Sequence, residues 1–187
     1  KTVKTGSGND TVTVEGAATG DTTIETGAGT DTIALGTTAD GYVINGGSGT
    51  DTVSFSATTD LSGETFSLTN VEVLDLDSAG NAASTVTIDA SQISGQALVV
   101  TATENTTADI LDLTVDQATV DLSDLVVNAT DVSVTVDGNA FTAFQSVNVT
   151  GSNANDTVTI NGGKASSATT GAGDDSVTLD ANDLKTL

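Results

Sequence analysis

The chain has 187 residues, a formal charge of −22 and no His, Cys, Met, Trp, Pro or Arg. This composition excludes a disulfide framework, transition-metal sites built on His and Cys, and a surface able to bind nucleic-acid phosphates. Its apolar runs fall far short of the roughly 20 residues of a membrane helix, and its length suits one domain with a buried core.

The charge is unusual in kind. Of the 26 acidic residues 21 are Asp and only five Glu, against four lysines. A merely solubilising surface uses Glu freely, whereas the short Asp side chain serves turns and hard-cation sites. Aromatics number four Phe and one Tyr, too few for an ordinary compact core but enough for thin stacked rungs of aliphatic residues. With no initiator Met and no visible signal peptide, the sequence is expected to be a processed form or a segment of something longer.

One string recurs along the chain. It reads Thr5-Gly-Ser-Gly-Asn-Asp-Thr-Val-Thr-Val14, then Thr26-Gly-Ala-Gly-Thr-Asp-Thr-Ile-Ala-Leu35, then Gly46-Gly-Ser-Gly-Thr-Asp-Thr-Val-Ser-Phe55. Each copy is a glycine turn feeding a short strand with one apolar face, because Val12 and Val14, Ile33 and Leu35, Val53 and Phe55 alternate with Thr, Ala or Ser. Asp10, Asp31 and Asp51 lie 21 and 20 residues apart, and a second set, Asp21, Asp40 and Asp60, lies between them at similar spacing. Coils of about 20 residues stacked at roughly 4.8 Å place the first set along one edge and the second along the opposite edge.

The interior, residues 61–150, loses the glycine signature but keeps strand-like pieces. These are Val71–Leu76, Thr85–Asp89, Ala97–Thr101, Ile110–Val115, Thr119–Leu122, Val132–Val136 and Ser146–Thr150. They predict wider coils of the same solenoid without clear metal motifs, and an inserted β-sandwich remains the alternative. The string returns in altered form at Gly151–Ile160 and again at Thr170–Leu179, so residues 151–187 form a closing segment like residues 1–60. The only helix candidates are Asp121–Asn128 and the last residues. The predicted fold is therefore all-β, a single parallel β-solenoid with glycine-rich turns at both ends.

The turn pattern Gly-Gly-x-Gly-x-Asp-x-apolar-x resembles the RTX, or haemolysin-type calcium-binding repeat, family. Gly46–Ser54 matches every fixed position, and Thr5–Thr13, Thr26–Ala34 and Thr170–Thr178 depart only at the first glycine. The resemblance implies calcium held between adjacent turns. The implied carboxylate ligands are Asp10, Asp31 and Asp51, with Asp156 and Asp175 as a second group; Asn9 and Asp174 add an oxygen beside the key Asp. Carbonyl donors come from the turns bounded by Gly6 and Gly8, Gly27 and Gly29, Gly47 and Gly49, and Gly171 and Gly173. Asp21, Asp40 and Asp60 have the spacing without the glycines, and Gly151–Thr159 has Ser152 and Ala154 in glycine positions. Flexible glycine turns suit the six to eight oxygens that calcium takes. The competing reading is that these aspartates form Asx turns, and for isolated ones such as Asp89 and Asp131 it is the preferred one.

Leu68–Leu76 and Val86–Gly95 look like the strand repeats of bacterial RTX-type S-layer proteins and surface adhesins. The function expected is that of an extracellular, calcium-stabilised structural protein at the cell surface or in a matrix. Its partners would be copies of itself, head to tail, and other surface components. An adhesin or ice-binding module using outward Thr rows stays open, as does the repeat region of a secreted toxin or enzyme. Catalysis is not expected: Lys164 is the one lysine away from the termini, and the usual general bases are missing.

Overall fold

A computed structural model describes residues 1–15, 20–36, 41–76, 83–102, 108–128, 132–137, 148–153, 155–160 and 167–179. The first coils hold two strands each, β1 (Thr2–Ser7) with β2 (Thr11–Val14) and β3 (Thr22–Gly29) with β4 (Thr32–Leu35). A third strand then joins: β5 (Tyr42–Gly49), β6 (Thr52–Phe55) and β7 (Thr59–Asp60), followed by β8 (Phe66–Thr69), β9 (Val73–Asp75) and β10 (Thr85–Asp89). A 3-10 turn at Ala90–Gln92 precedes β11 (Val99–Thr101) and β12 (Asp109–Thr114). After these come β13 (Thr119–Asp121), β14 (Val126–Val127) and β15 (Val132–Asp137). The closing coils return to two strands, β16 (Asn148–Thr150) with β17 (Asp156–Ile160) and β18 (Ser167–Thr169) with β19 (Ser176–Leu179).

Every ladder is parallel. That makes the protein a β-solenoid and removes the sandwich alternative, whose strands pair antiparallel. Face 2 is the sheet β2-β4-β6-β9-β11-β14, and face 3 is β7-β10-β12-β15-β17-β19. Face 1 comes in two parts, β1-β3-β5-β8 and β13-β16-β18. Between them the 3-10 turn and its successor residues stand in for a strand. Gln92 Nε2 donates to Glu64 O at 3.1 Å on one side, and Gly95 N donates to Asp121 O at 2.8 Å on the other.

Coil length follows the number of faces. Bonded partners on adjacent coils are 21 and 20 residues apart at Asp10–Asp31 and Asp31–Asp51. They are 25 apart at Ser84–Asp109 and 27 at Ser94–Asp121, and only 19 at Asp156–Asp175. The expected wider interior coils are therefore coils with an added face.

The core is the row of stacked rungs that scarce aromatics foretold. Ile33, Val53, Leu74, Val100 and Val127 align in one inward column of face 2, and Ile88, Leu113, Val136 and Val158 in one of face 3. Burial of each such aliphatic side chain contributes about 1.5–3 kcal/mol. Val177 continues the face 3 column but is 45% exposed, since no described strand lies beyond β19.

Three expectations change. Asp121–Asn128 is not helical: it holds the end of β13 and all of β14. The glycine turns do not merely feed the strands after them in the early coils, because β3 and β5 run through them and pair Gly27 with Gly47 and Gly29 with Gly49. Asp21 and Asp60 do not share an opposite-edge column. Asp21 precedes β3 on face 1, whereas Asp60 lies in β7 on face 3, because the coil holding Asp60 has gained a face. Asp40, Lys164, Asp131 and residues 180–187 lie outside the described residues.

Candidate metal centre

The aspartate before β2, β4 and β6 continues the inward alternation of its strand, and therefore turns its carboxylate into the core column instead of outward. Ladder register places Asp10, Asp31 and Asp51 one above another. Asp31 and Asp51 are fully buried. In each step the backbone N–H of one coil donates to the carboxylate of the next: Asp10 N to Asp31 Oδ1 at 2.8 Å, Asp31 N to Asp51 Oδ1 at 2.9 Å. Asp51 N then donates to Glu72 Oε2 at 2.8 Å. Beyond Glu72 the column becomes apolar, with Leu98 and Leu125 in register before β11 and β14. The acidic ladder is thus the polar extension of a core column.

Glu72 was absent from the sequence-derived ligands. Its signal was the 21-residue step from Asp51 and its place directly before an apolar strand, both hidden by the missing glycines and the change of acid.

One carboxylate oxygen of Asp31 and of Asp51 is accounted for by that ladder; the other is not. Asp10 Oδ2, Asp31 Oδ2 and Asp51 Oδ2 are buried with no hydrogen-bond partner. Near Gly46 a second acceptor joins, since a Cβ built there would meet Asn70 O at 2.2 Å and Asp51 Oδ2 at 2.5 Å. Two oxygens without a proton between them repel unless a cation or proton intervenes. Burial, assisted by the charges of Asp31 and Glu72, holds the Asp51 carboxyl above its ordinary pKa, and the hydrogen bond from Asp31 N only partly opposes this.

The glycines serve the same stack. Gly27 and Gly47 have φ of +105° and +103°, and a Cβ on either would lie 1.9 Å from the carbonyl oxygen of the glycine one coil earlier. Only glycine accepts both the dihedral and the approach. Threonine hydroxyls take part as well: Thr5 Oγ1 donates to Thr26 O at 2.8 Å and Thr26 Oγ1 to Gly46 O at 2.9 Å. Asn9 Oδ1 accepts from Thr30 N at 3.0 Å.

The second group is built differently. Asp156 is buried and gives Asp175 its backbone N–H at 3.1 Å, as in the first ladder. Both its carboxylate oxygens, however, are met by Ser152, whose N reaches Oδ2 at 2.9 Å and whose Oγ reaches Oδ1 at 3.0 Å. Burial still raises the Asp156 pKa against those bonds, and Asp175 adds repulsion. The next residue, Asn153, accepts from Val127 N at 2.7 Å through Oδ1 and so closes the last strand of face 2. Ser152, which departs from the glycine motif, and Asn153 beside it have structural tasks: one occupies a carboxylate, the other terminates a sheet. Asp174 is exposed, and its N donates to Asn155 Oδ1 at 2.8 Å.

Asp60 forms an Asx turn, its Oδ1 accepting from Ser62 N at 3.0 Å and Ser62 Oγ at 2.7 Å. Asp89 accepts from Gly63 N at 2.9 Å. The outward Thr row Thr11, Thr32, Thr52 is in register but gives way to Val73, and its neighbour runs Thr13, Ala34, Ser54.

The chemistry of the first ladder fits a hard cation: all donors are oxygen, several are carboxylates, and three carboxylate oxygens are buried and unmatched. Among the described residues no three acidic side chains converge on one point, so an ion here would draw on carbonyls as much as on carboxylates. No helix among the described residues is long and apolar enough to cross a membrane. No family model, curated protein or solved structure matches the chain.

Proposed function

We propose that this chain is a calcium-stabilised structural protein that works outside the cell, assembling with copies of itself into a filament or surface layer. The observation that carries the reading is the stack Asp10, Asp31, Asp51 with its buried, unpartnered Oδ2 atoms in a chain of charge −22. Asp10, Asp31, Asp51 and Glu72 are the residues that would hold the ion, with turn carbonyls completing its shell. Calcium supplies charge neutralisation there. Extracellular modules bind calcium at about 10⁻⁴–10⁻³ M, so a calcium-poor cytosol leaves the stack repelling and the coils loose, and export places the chain where it closes. Catalysis forms no part of the proposal.

Circular dichroism with calcium and with chelator tests it. The expected result is a β spectrum that strengthens, and a melting temperature that rises, across millimolar calcium. An unchanged spectrum and melting temperature in chelator sink the calcium claim.

A further inference from the structure

Along the first turns the residue before Gly6, Gly27 and Gly47 is Thr5, Thr26 and Gly46, and Asn70 continues the series in the fourth coil. Thr5 and Thr26 give their hydroxyls to a carbonyl of the next coil, Thr26 O and Gly46 O respectively. Gly46 has no hydroxyl to give to Asn70 O. A Cβ at Gly46 would meet that carbonyl at 2.2 Å and Asp51 Oδ2 at 2.5 Å, so two acceptors close on one glycine. Asp51 is fully buried, and its Oδ2 has no hydrogen-bond partner.

The surroundings hold both oxygens in place. Asp31 N donates to Asp51 Oδ1 and so fixes the carboxylate. Asn70 has a φ of +50°, in the left-handed region that Asn enters more readily than most residues, and its Nδ2 donates to Asn45 Oδ1 at 3.0 Å. Glu72 takes the Asp51 N–H through Oε2. It is half-buried and Asn70 is exposed, so this interval meets solvent on the side of the fourth coil. The carboxylates of Asp51 and Glu72 together match the charge of one divalent ion, and the carbonyl adds a neutral oxygen of the kind that calcium accepts.

The second glycine motif repeats the arrangement with one difference. A Cβ at Gly151 would meet Thr170 O at 2.4 Å and Asp156 Oδ2 at 2.6 Å, as at Gly46. There, however, Ser152 N donates to Asp156 Oδ2 and Ser152 Oγ to Oδ1. Gly47, which follows Gly46 as Ser152 follows Gly151, has no hydroxyl. We infer that the protein takes one calcium ion, between the third and fourth coils, with Asp51, Glu72 and the Asn70 carbonyl as its ligands, and that Ser152 closes the matching interval at Gly151 to metal. The inference rests on the calcium reading above and narrows it from a column of sites to one. Asp10 and Asp31 serve that site by position, each N–H fixing the carboxylate of the next coil.

Thermal melts of the full chain test this, with millimolar calcium as the probe against chelator, both in about 0.15 M potassium chloride to screen the exposed carboxylates. The calcium-induced rise in melting temperature should fall at least threefold in Asp51→Asn and in Glu72→Gln. Each variant keeps an oxygen for the backbone N–H that its carboxylate accepts, so both should fold. Asp156→Asn, whatever its melting temperature in chelator, should keep the wild-type rise. Equilibrium dialysis in the same salt should count one bound calcium per wild-type chain and lose it in Asp51→Asn. A full rise in Asp51→Asn and Glu72→Gln, an equal loss in Asp156→Asn, or two or more ions per wild-type chain overturns the single site. In each of those cases a wild-type rise keeps the broader calcium reading. A wild-type chain with neither a rise nor a bound ion overturns both.

Discussion

The backbone N–H of Asp31 donates to Asp51 Oδ1 at 2.9 Å, and both residues are fully buried. One carboxylate oxygen thus builds the stack while its twin, Oδ2, is buried beside Gly46 without a hydrogen-bond partner, as Asn70 O also approaches that glycine. A coil-to-coil hydrogen bond and an unmatched buried oxygen are carried by a single side chain.

Asp51→Asn separates the two roles. The amide keeps an oxygen for Asp31 N, removes a buried charge and brings a donor towards Asn70 O. In chelator the variant should be more stable than wild type by about 1 kcal/mol, a rise of roughly 2–4 °C. In calcium it should gain less than wild type. Thermal melts in both buffers check this; a loss of stability in chelator means that the buried carboxylate is not under strain.

Glu72→Ala leaves Asp51 N without its acceptor at the last acidic rung. An unsatisfied buried donor costs about 1–3 kcal/mol. Urea unfolding should show that loss, and Glu72→Gln, which keeps an acceptor oxygen, should recover most of it in chelator.

Gly47→Ala and Gly63→Ala both place a side chain at positive φ, +103° and +74°, but only at Gly47 would Cβ strike a carbonyl, at 1.9 Å. The dihedral costs about 1–2 kcal/mol at either site. Gly47→Ala must in addition push coils apart, so its loss in urea unfolding should exceed that of Gly63→Ala by at least twofold. Equal losses would mean that the stack yields easily.

Stability of the metal-free protein should rise on mild acidification. Burial raises the pKa of Asp51 and Asp156, and on the outer side of face 3 burial and the charges of Asp137 and Asp60 raise that of Asp112 against a hydrogen bond from Thr87. A carboxyl whose folded pKa is raised contributes stability that is complete below its unfolded value, about 3.9, and is lost as pH rises through the folded value. In chelator the melting temperature should therefore be higher near pH 4 than at pH 7. A flat or opposite profile would show that the buried carboxyls do not govern it.

The sequence by itself determined the solenoid, the inward alternation of Val12, Ile33, Val53 and Val158, and the stacking of Asp10, Asp31 and Asp51. Each is legible because a strand repeats every two residues and a two-faced coil every 20 or so, and both periods are written in residue order. Tertiary structure alone decided where a third face enters after β6, why Asp60 leaves the spacing that it shares with Asp21, and that Glu72 rather than an aspartate ends the ladder. It also decided that Ser152 occupies the carboxylate of Asp156, which the string reads only as a lost glycine. These choices depend on pairings between residues 19 to 27 apart, and an added face shifts the count by several residues without leaving a local mark. Register between coils is settled by which carbonyl, hydroxyl or carboxylate meets which N–H, and those partners are neighbours only once the chain has wound.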